Sequence, residues 1–301
     1  MIKPFIILIV ISMLLFSGFL LLDGVIYQTF TSVPGAPDIT NRNFLVIAHR
    51  GASAEAPENT LAAFKKAAEA GVDVIELDVH LSADGVPVVI HDARADRTTS
   101  LKGLVSSFTA EELSAADAGS WFGQAFAGEP VPSLATVLQQ VKGHHKWLVE
   151  LKNDSEGNLY PLLSQKVAEV LAETGHTRQA MVQAFDSRYL YQLHDLDTGL
   201  QLQKLVVAEW PVAGVYFDTS FKAGSLEKEP FFMAVNPFYR SLTRSKIERA
   251  HRRGVKVFPY TVNIERDMRK LLAMGVDGII TNYPATLLKL RNEINRQGQS
   301  R

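Results

Sequence analysis

Short runs of aliphatic and β-branched residues alternate with helical patterns along most of this chain, from residue 44 to about residue 281. Nine of these runs have the length and composition of β-strands, and helical patterns lie between most of them. Such alternation predicts a mainly parallel sheet, either closed into a (β/α)8 barrel or open and doubly wound. The predicted strands are 44–49, 74–81, 86–91, 147–152, 180–185, 203–208, 231–236, 255–262 and 278–281.

Polar residues near the C-terminal ends of different predicted strands distinguish these two architectures. A (β/α)8 barrel draws its active-site residues from many strand ends, whereas a doubly wound sheet concentrates its site at one switch point. The scattered distribution therefore predicts an α/β fold of the TIM (β/α)8 type. The residues concerned are His49, Glu76, Asp78, His91, Glu150 and Lys152.

One pair of predicted strands is joined by a tight turn at Asp84-Gly85. Nine strands are one too many for a plain barrel, and this turn is too short for a parallel crossover, which needs about a dozen residues. We therefore interpret residues 74–91 as a hairpin in which Asp78 lies opposite His91. The following segment, about 92–132, lacks barrel-like periodicity, so we interpret it as an insertion after the third strand.

The N-terminal 22 residues differ from the rest of the chain. No charged residue occurs from Phe5 to Leu22, and a helix of that length extends ~27 Å, close to the thickness of a bilayer core. We expect a transmembrane anchor over 1–22, with a cleaved signal peptide as the alternative. Lys3 precedes the span and predicts a single-pass membrane protein with its barrel on the extracytoplasmic side. The remaining predicted segments are a linker (23–43), the barrel (44–290) and a C-terminal tail (291–301).

Charge and composition exclude some functions. The formal net charge is −1 over 301 residues, so the chain has no general attraction to nucleic acid, and we expect no nucleic-acid partner. The chain has no cysteine, which excludes disulfides and thiol catalysis.

Glu76 and Asp78 share one face of a predicted strand. The neighbouring run 86–90 is apolar on both faces, which indicates that this neighbouring strand is buried on both sides. Two buried carboxylates without a cation would be costly, and Glu150 ends a later strand in the same way. These three oxygen ligands predict one divalent cation, Mg²⁺ or Ca²⁺. The alternative is that Glu76 and Asp78 lie on a solvated strand face.

His49 and His91 each follow an apolar strand. Two histidines beside a metal are suited to proton transfer, one as base and one as acid; zinc ligation is the alternative. His80 shares the face of the two carboxylates further along, where it lies either on the rim or in contact with substrate. Arg50 and Lys152 are suited to binding a phosphate, unless they only pair with nearby carboxylates.

Several ordered motifs resemble the glycerophosphodiester phosphodiesterases. They are H-R-G-x-x-x-x-x-P-E-N-T at 49–60, E-x-D-V-x-L-S-x-D-G-x-x-V-V-I-H-D at 76–92, D-R-T-T at 96–99, E-x-K at 150–152 and G-V-D-G-I-I-T-N-Y-P at 275–284. The resemblance implies a TIM barrel with an inserted segment, and hydrolysis of a glycerophosphodiester to glycerol phosphate and an alcohol. It also implies a metal at Glu76, Asp78 and Glu150, acid and base roles for His49 and His91, and phosphate contacts by Arg50 and Lys152.

Three positions need separate comment under this resemblance. Glu58 matches the glutamate of P-E-N-T and is expected in the second shell or beside the metal, unless it only helps to cap the following helix. Tyr260 stands where the family often has tryptophan, which alters the shape of the substrate pocket. Asn282 stands where the family often has aspartate, and we expect this change to leave the catalytic residues untouched.

Three functions are compatible with these residues. The first is hydrolysis of small glycerophosphodiesters. The second is a lysophospholipase D reaction at the same site, in which Trp121 and Phe122 of the insertion would contact an acyl chain; the alternative is that they pack the insertion onto the barrel. The third is a catalytically dead barrel retained as a binding protein, which the complete set of candidate residues argues against.

Overall fold

The fold was examined in a computed structural model, which describes residues 43–209, 215–217, 223–225 and 229–299. Twelve strands and eight α-helices are present in the described residues, and most helices lie between consecutive barrel strands. The strands are β1 (Leu45–Ala48), β2 (Val74–Leu81), β3 (Pro87–Val89), β4 (Lys146–Leu151), β5 (Ala180–Ala184), β6 (Gln201–Val206), β7 (Ala208–Glu209), β8 (Val215–Phe217), β9 (Ala223–Ser225), β10 (Phe232–Pro237), β11 (Lys256–Val257) and β12 (Gly278–Thr281). The helices are α1 (Leu61–Ala70), α2 (Ala110–Ala115), α3 (Leu134–Gln140), α4 (Leu163–Glu173), α5 (Ser187–Asp195), α6 (Arg244–His251), α7 (Glu265–Met274) and α8 (Pro284–Gln299).

Eight of the strands form a parallel barrel in the order β11–β10–β6–β5–β4–β2–β1–β12. Backbone hydrogen bonds from Asp277 N to Val257 O and from Ile280 N to Pro259 O, both 3.0 Å, join its two ends. The predicted TIM-type barrel is thus present. The ninth predicted strand is β3, which pairs antiparallel with β2 outside the barrel order.

The β2–β3 hairpin has a register one residue away from the predicted one. Val79 pairs with Val89, and Ile90 N donates to Asp78 O at 3.1 Å, so Asp78 lies opposite Ile90 rather than His91. The turn causes the difference, because three residues rather than two separate Ser82 from Val86, and Gly85 takes a left-handed φ of 77°. The predicted pairing of Asp78 with His91 is therefore wrong.

The loops after β3 and β6 carry the additions to the barrel. Residues after β3 bury Val105, Leu113 and Val131 against Val88 and Ile90, so this segment has a small core of its own. Between β6 and β10, the described residues form a three-stranded antiparallel sheet, β7–β8–β9, where the alternating pattern would place a helix.

The predicted transmembrane helix over 1–22 has to be corrected. Within the described ranges, no helix is long and apolar enough to cross a membrane. Even the longest of them, α8 with 16 residues, carries charged side chains along its length, because a helix packed on a barrel needs only one apolar face. Residues 1–22 themselves lie outside the described ranges. The predicted membrane partner, membrane localisation and extracytoplasmic barrel are withdrawn with that helix.

The last helix also bears on the predicted domain limits. Since α8 runs from 284 to 299, the boundary that we placed at residue 290 falls inside it. The linker, residues 23–43, lies outside the described ranges except for its last residue.

Candidate active site

A cavity of about 250 Å³ opens at the C-terminal ends of the barrel strands and is lined by six of the predicted site residues. A larger cavity, of about 530 Å³, lies at the opposite end and contains none of them. Because TIM-barrel active sites occupy the C-terminal end, the smaller cavity is the candidate site. It is lined by His49, Arg50, His91, Glu150, Lys152, Gln183, Phe185, Leu205, Tyr260, Thr261 and Ile280.

Strand register brings the three predicted metal ligands together. Asp78 on β2 pairs with Glu150 on the parallel strand β4, and Glu76 lies two residues earlier on the same face as Asp78. All three side chains are buried. One carboxylate oxygen from each lies within 4.8 Å of one from each of the others.

Two cations partly neutralise this cluster. Lys152 Nζ lies 2.6 Å from Glu150 Oε1 and 3.2 Å from Asp78 Oδ1, and Arg50 Nε lies 3.2 Å from Asp78 Oδ2. Burial alone would raise the pKa of Asp78, but Lys152 and then Arg50 outweigh it and hold that pKa far below its usual range. Burial alone would lower the pKa of Lys152, but the charges of Asp78 and Glu150 outweigh it and raise that pKa.

Glu76 shows that the cluster still carries an excess of negative charge. Burial, followed by the charges of Asp78 and Glu150, raises the pKa of Glu76 well above its ordinary value. Asp78 Oδ1 is buried and accepts no hydrogen bond. An all-oxygen donor set with excess negative charge fits a hard divalent cation.

Two neutral amides from outside the predicted set donate hydrogen bonds to the three carboxylates. Asn59 has a left-handed φ of 58°; its Nδ2 donates to Asp78 Oδ2 at 2.8 Å, and its Oδ1 accepts from Asp78 N at 3.2 Å. Gln183 Nε2 donates to Glu76 Oε1 at 3.3 Å and to Glu150 Oε2 at 3.4 Å. Neither Asn59 nor Gln183 was predicted as a site residue, although Gln183 on β5 pairs with Glu150 on β4.

His49 is held by Asn282. Its Nδ1 lies 2.6 Å from Asn282 Oδ1, and since an amide oxygen only accepts, Nδ1 carries the proton and Nε2 keeps a free lone pair. Burial and then the charge of Arg50 lower the pKa of His49 to about 3. The expectation that Asn282 leaves the catalytic residues untouched is therefore wrong. Barrel closure explains the contact, because Ala48 on β1 pairs with Thr281 on β12, which makes the next residues neighbours.

We expect Asn282→Asp to shift the pH dependence of activity. A carboxylate at this position would favour the imidazolium and raise the pKa of His49. As the pH falls, His49 would therefore become protonated at a higher pH than in the wild type. The acid limb of kcat/KM should then move upward by ~1 pH unit or more. Asn292→Asp, on an exposed part of α8, adds the same charge far from the site and should leave the profile in place. An unchanged profile in Asn282→Asp would contradict this account of His49.

His91 lies at the exposed side of the cavity and is held by its neighbour in sequence. Its Nδ1 lies 2.6 Å from Asp92 Oδ1, and Arg97 Nε donates to Asp92 Oδ2 at 2.6 Å. Partial burial would raise the pKa of Asp92, but hydrogen bonds from Arg97 and His91 lower it to about 2. The Asp92 carboxylate therefore accepts a hydrogen bond from His91 Nδ1 and fixes the orientation of the ring.

His80 is buried beneath His91 and does not line the cavity. Its Nε2 lies 3.0 Å from the backbone O of His91, and its Nδ1 lies 3.1 Å from the Tyr160 hydroxyl. Burial lowers the pKa of His80 to about 4, so the ring is neutral and donates to the carbonyl. The structure thus places His80 as a support for the backbone of His91.

Glu58 and the predicted pocket residues occupy different places. Glu58 Oε1 lies 2.8 Å from Arg50 Nη1. Tyr260 lines the cavity, and its hydroxyl donates to Val206 O at 3.2 Å. Trp121 and Phe122 lie outside the cavity and pack edge to face on each other, with ring centroids 5.7 Å apart.

Comparison with known proteins agrees with this geometry. Residues 49–286 match the model of the glycerophosphoryl diester phosphodiesterase family. The chain belongs to this family. A glycerophosphodiester phosphodiesterase of Caldanaerobacter subterraneus subsp. tengcongensis is 40% identical over 253 residues, which cover 82% of this chain and 97% of the relative. One of Bacillus subtilis is 31% identical over 262 residues, covering 82% and 86%.

Solved structures of this family share the fold. A phosphodiesterase of Oleispira antarctica, solved in complex with the product sn-glycerol-3-phosphate, has a TM-score of 0.71 and 29% identity over 83% of this chain and 96% of that one. Family membership confirms the predicted family and the predicted enzyme class, a phosphoric diester hydrolase. These comparisons favour glycerophosphodiester hydrolysis over the lysophospholipase D alternative.

Proposed function

We propose that this chain hydrolyses small glycerophosphodiesters to glycerol phosphate and an alcohol at the C-terminal end of its barrel. The observation that carries the proposal is a cavity lined by two histidines, two cationic side chains and Glu150, which belongs to a cluster of three buried carboxylates. The named activity of the relatives, and the glycerol phosphate bound by the Oleispira antarctica protein, support the same substrate class.

Glu76, Asp78 and Glu150 would hold one divalent cation, either Mg²⁺ or Ca²⁺. When bound, such an ion polarises a phosphoryl oxygen and stabilises the charge that grows on it in the transition state. Burial and the charges of Asp78 and Glu150, which raise the pKa of Glu76, support this assignment, as does the buried Asp78 Oδ1, which pairs with Lys152 but accepts no hydrogen bond.

Arg50 and Lys152 would contact the phosphate. Both line the cavity beside the carboxylates, and the raised pKa of Lys152 keeps its ammonium charged. Charged donors that are already fixed in place stabilise a transition state without first having to reorganise. The half-buried Arg50 is fixed on one side by Glu58 and on the other by Asp78.

The two histidines would divide the proton transfers. His49 has a low pKa and a free Nε2, so it suits the base that activates water or the glycerol hydroxyl next to the phosphate. His91 is paired with an ionised Asp92, which suits the acid that protonates the leaving alkoxide. Tyr260 would shape the pocket for the glycerol or the alcohol group.

A substrate panel tests the proposed function. Glycerophosphocholine, glycerophosphoethanolamine, glycerophosphoglycerol and a lysophospholipid would be incubated with Mg²⁺, with Ca²⁺ or with chelator. Glycerol phosphate would be measured for the first three substrates and lysophosphatidic acid for the lysophospholipid. We expect release of glycerol phosphate from at least one of the three water-soluble substrates, and none with chelator. Cleavage of the lysophospholipid alone would contradict the proposal.

A further inference from the structure

Arg97 lies in the loop after β3 and contacts two carboxylates from different parts of the chain. Its guanidinium reaches Glu58 through Nη1 to Oε2 at 3.0 Å and Nη2 to Oε1 at 2.8 Å. It also reaches Asp92 through Nε to Oδ2 at 2.6 Å and Nη2 to Oδ1 at 3.2 Å. One planar guanidinium therefore makes a two-pronged contact with each carboxylate, a geometry that lysine cannot reproduce.

Each of these carboxylates continues to a residue of the proposed site. Glu58 Oε1 accepts from Arg50 Nη1 at 2.8 Å, and Asp92 Oδ1 lies 2.6 Å from His91 Nδ1. An unbroken series of hydrogen bonds thus joins the proposed phosphate-binding arginine to the proposed acid, with Arg97 at its centre. In sequence order the members are Arg50, Glu58, His91, Asp92 and Arg97.

The loop backbone that carries Arg97 is anchored. Thr98 and Thr99, which follow it, are both buried, and Thr99 Oγ1 donates to Ala95 O at 2.8 Å. Ala95 is itself buried, and its N donates to Gly103 O at 2.9 Å. The backbone on both sides of Arg97 is therefore held, which directs the guanidinium toward the two carboxylates.

We infer that Arg97 is a positioning residue that sets the orientations of His91 and Arg50 together, through Asp92 and Glu58. The inference rests on the roles proposed above for those two residues. The simpler explanation is a surface ion pair, since 45% of the Arg97 side chain is exposed and such pairs contribute little to stability. The two explanations differ in what they expect of kinetics, because a surface pair would change stability alone.

The test compares Arg97→Met and Arg97→Lys with wild type on glycerophosphocholine. We expect Arg97→Met to lower kcat by ~10- to 100-fold, the range for lost support of a functional group, and to raise KM several-fold because Arg50 is also released. Arg97→Lys should have nearly the same kcat and KM as Arg97→Met, since a lysine ammonium cannot make two-pronged contacts with both carboxylates. Arg94→Met removes the same charge from the same loop, where Arg94 forms an ion pair with Asp96, and should leave kcat and KM within twofold of wild type.

Variants of the two carboxylates separate the two branches. Asp92→Asn should mainly lower kcat through His91, whereas Glu58→Gln should mainly raise KM through Arg50. In an Asp92→Asn background, Arg97→Met should cost less in kcat than it does alone, while its effect on KM remains. If Arg97→Met does not fold, Arg97→Lys and the two carboxylate variants carry the same comparison.

Three results would overturn the inference. One is an Arg97→Met enzyme with a lower melting temperature but with kcat and KM within twofold of wild type. Another is full multiplication of the kcat losses in the double variant, because Arg97 would then not act through Asp92. The third is a wild-type enzyme that releases no glycerol phosphate from any diester, which refutes the proposed function and, with it, the roles on which the inference rests.

Discussion

Replacing Asp78 with asparagine should reduce hydrolysis to background and weaken divalent-cation binding at the same time. The substitution keeps the shape of the side chain but removes one of three buried anionic ligands. The charge stabilisation lost with the ion amounts to ~4 kcal/mol or more, which corresponds to at least ~10³ in kcat. Glu76→Gln and Glu150→Gln should behave in the same way. Steady-state kinetics and calorimetric titration with Mg²⁺ and Ca²⁺ would measure the two effects.

A matched control for these variants is Glu156→Gln. Glu156 is exposed in the loop after β4, so the variant removes one negative charge near the barrel mouth without touching the cluster. It should keep the activity and cation affinity of wild type. Loss of activity in Asp78→Asn with unchanged cation affinity would show that the carboxylate serves the reaction in some other way.

Replacing either His49 or His91 with alanine should lower kcat by at least ~10², the low end for a lost general acid or base, with cation affinity little changed. The two losses should not multiply in the double variant, because the residues act in one reaction. A nitrophenyl ester, whose leaving group needs no protonation, should restore activity to His91→Ala but not to His49→Ala. This difference follows from the neutral, Asn282-bound His49 and the Asp92-bound His91.

His144→Ala serves as the control for the histidine variants. His144 is exposed and lies at the cavity on the opposite end of the barrel, so its loss should not change turnover. Rescue of His49→Ala alone by the nitrophenyl ester would exchange the two roles. Near-normal rates in both single variants, or loss of the cation from either, would contradict acid and base roles altogether.

Hydrophobic periodicity and the polar residues at strand ends were enough to predict most of the fold and the central residues of the site. Strands 74–81 and 278–281 have the same limits in the structure as in the prediction, because each is a buried run bounded by turn residues. The carboxylates also converge as predicted, since a strand's inward face and its C-terminal end can both be read from the alternation of residues. The surplus strand was correctly attributed to a hairpin because its turn was too short for a crossover.

The residues that orient the catalytic side chains could not be predicted from the sequence in the same way. The contact of Asn282 with His49 depends on β12 closing the barrel against β1, and that of Arg97 with Glu58 depends on the path of an aperiodic loop. Neither contact produces a periodic pattern in the neighbouring sequence. The predicted hairpin register was wrong for a related reason, since the number of residues in the turn depends on the left-handed conformation of Gly85.

Titrating metal-free enzyme with Mg²⁺ or Ca²⁺, while recording both bound ion and the rate of glycerophosphocholine hydrolysis, tests the central claim most directly. If Glu76, Asp78 and Glu150 hold one catalytic cation, activity should be absent after exhaustive chelation. It should then rise in proportion to bound ion and reach its maximum at one ion per chain. Full activity after exhaustive chelation, or saturation of binding without any return of activity, would contradict the account.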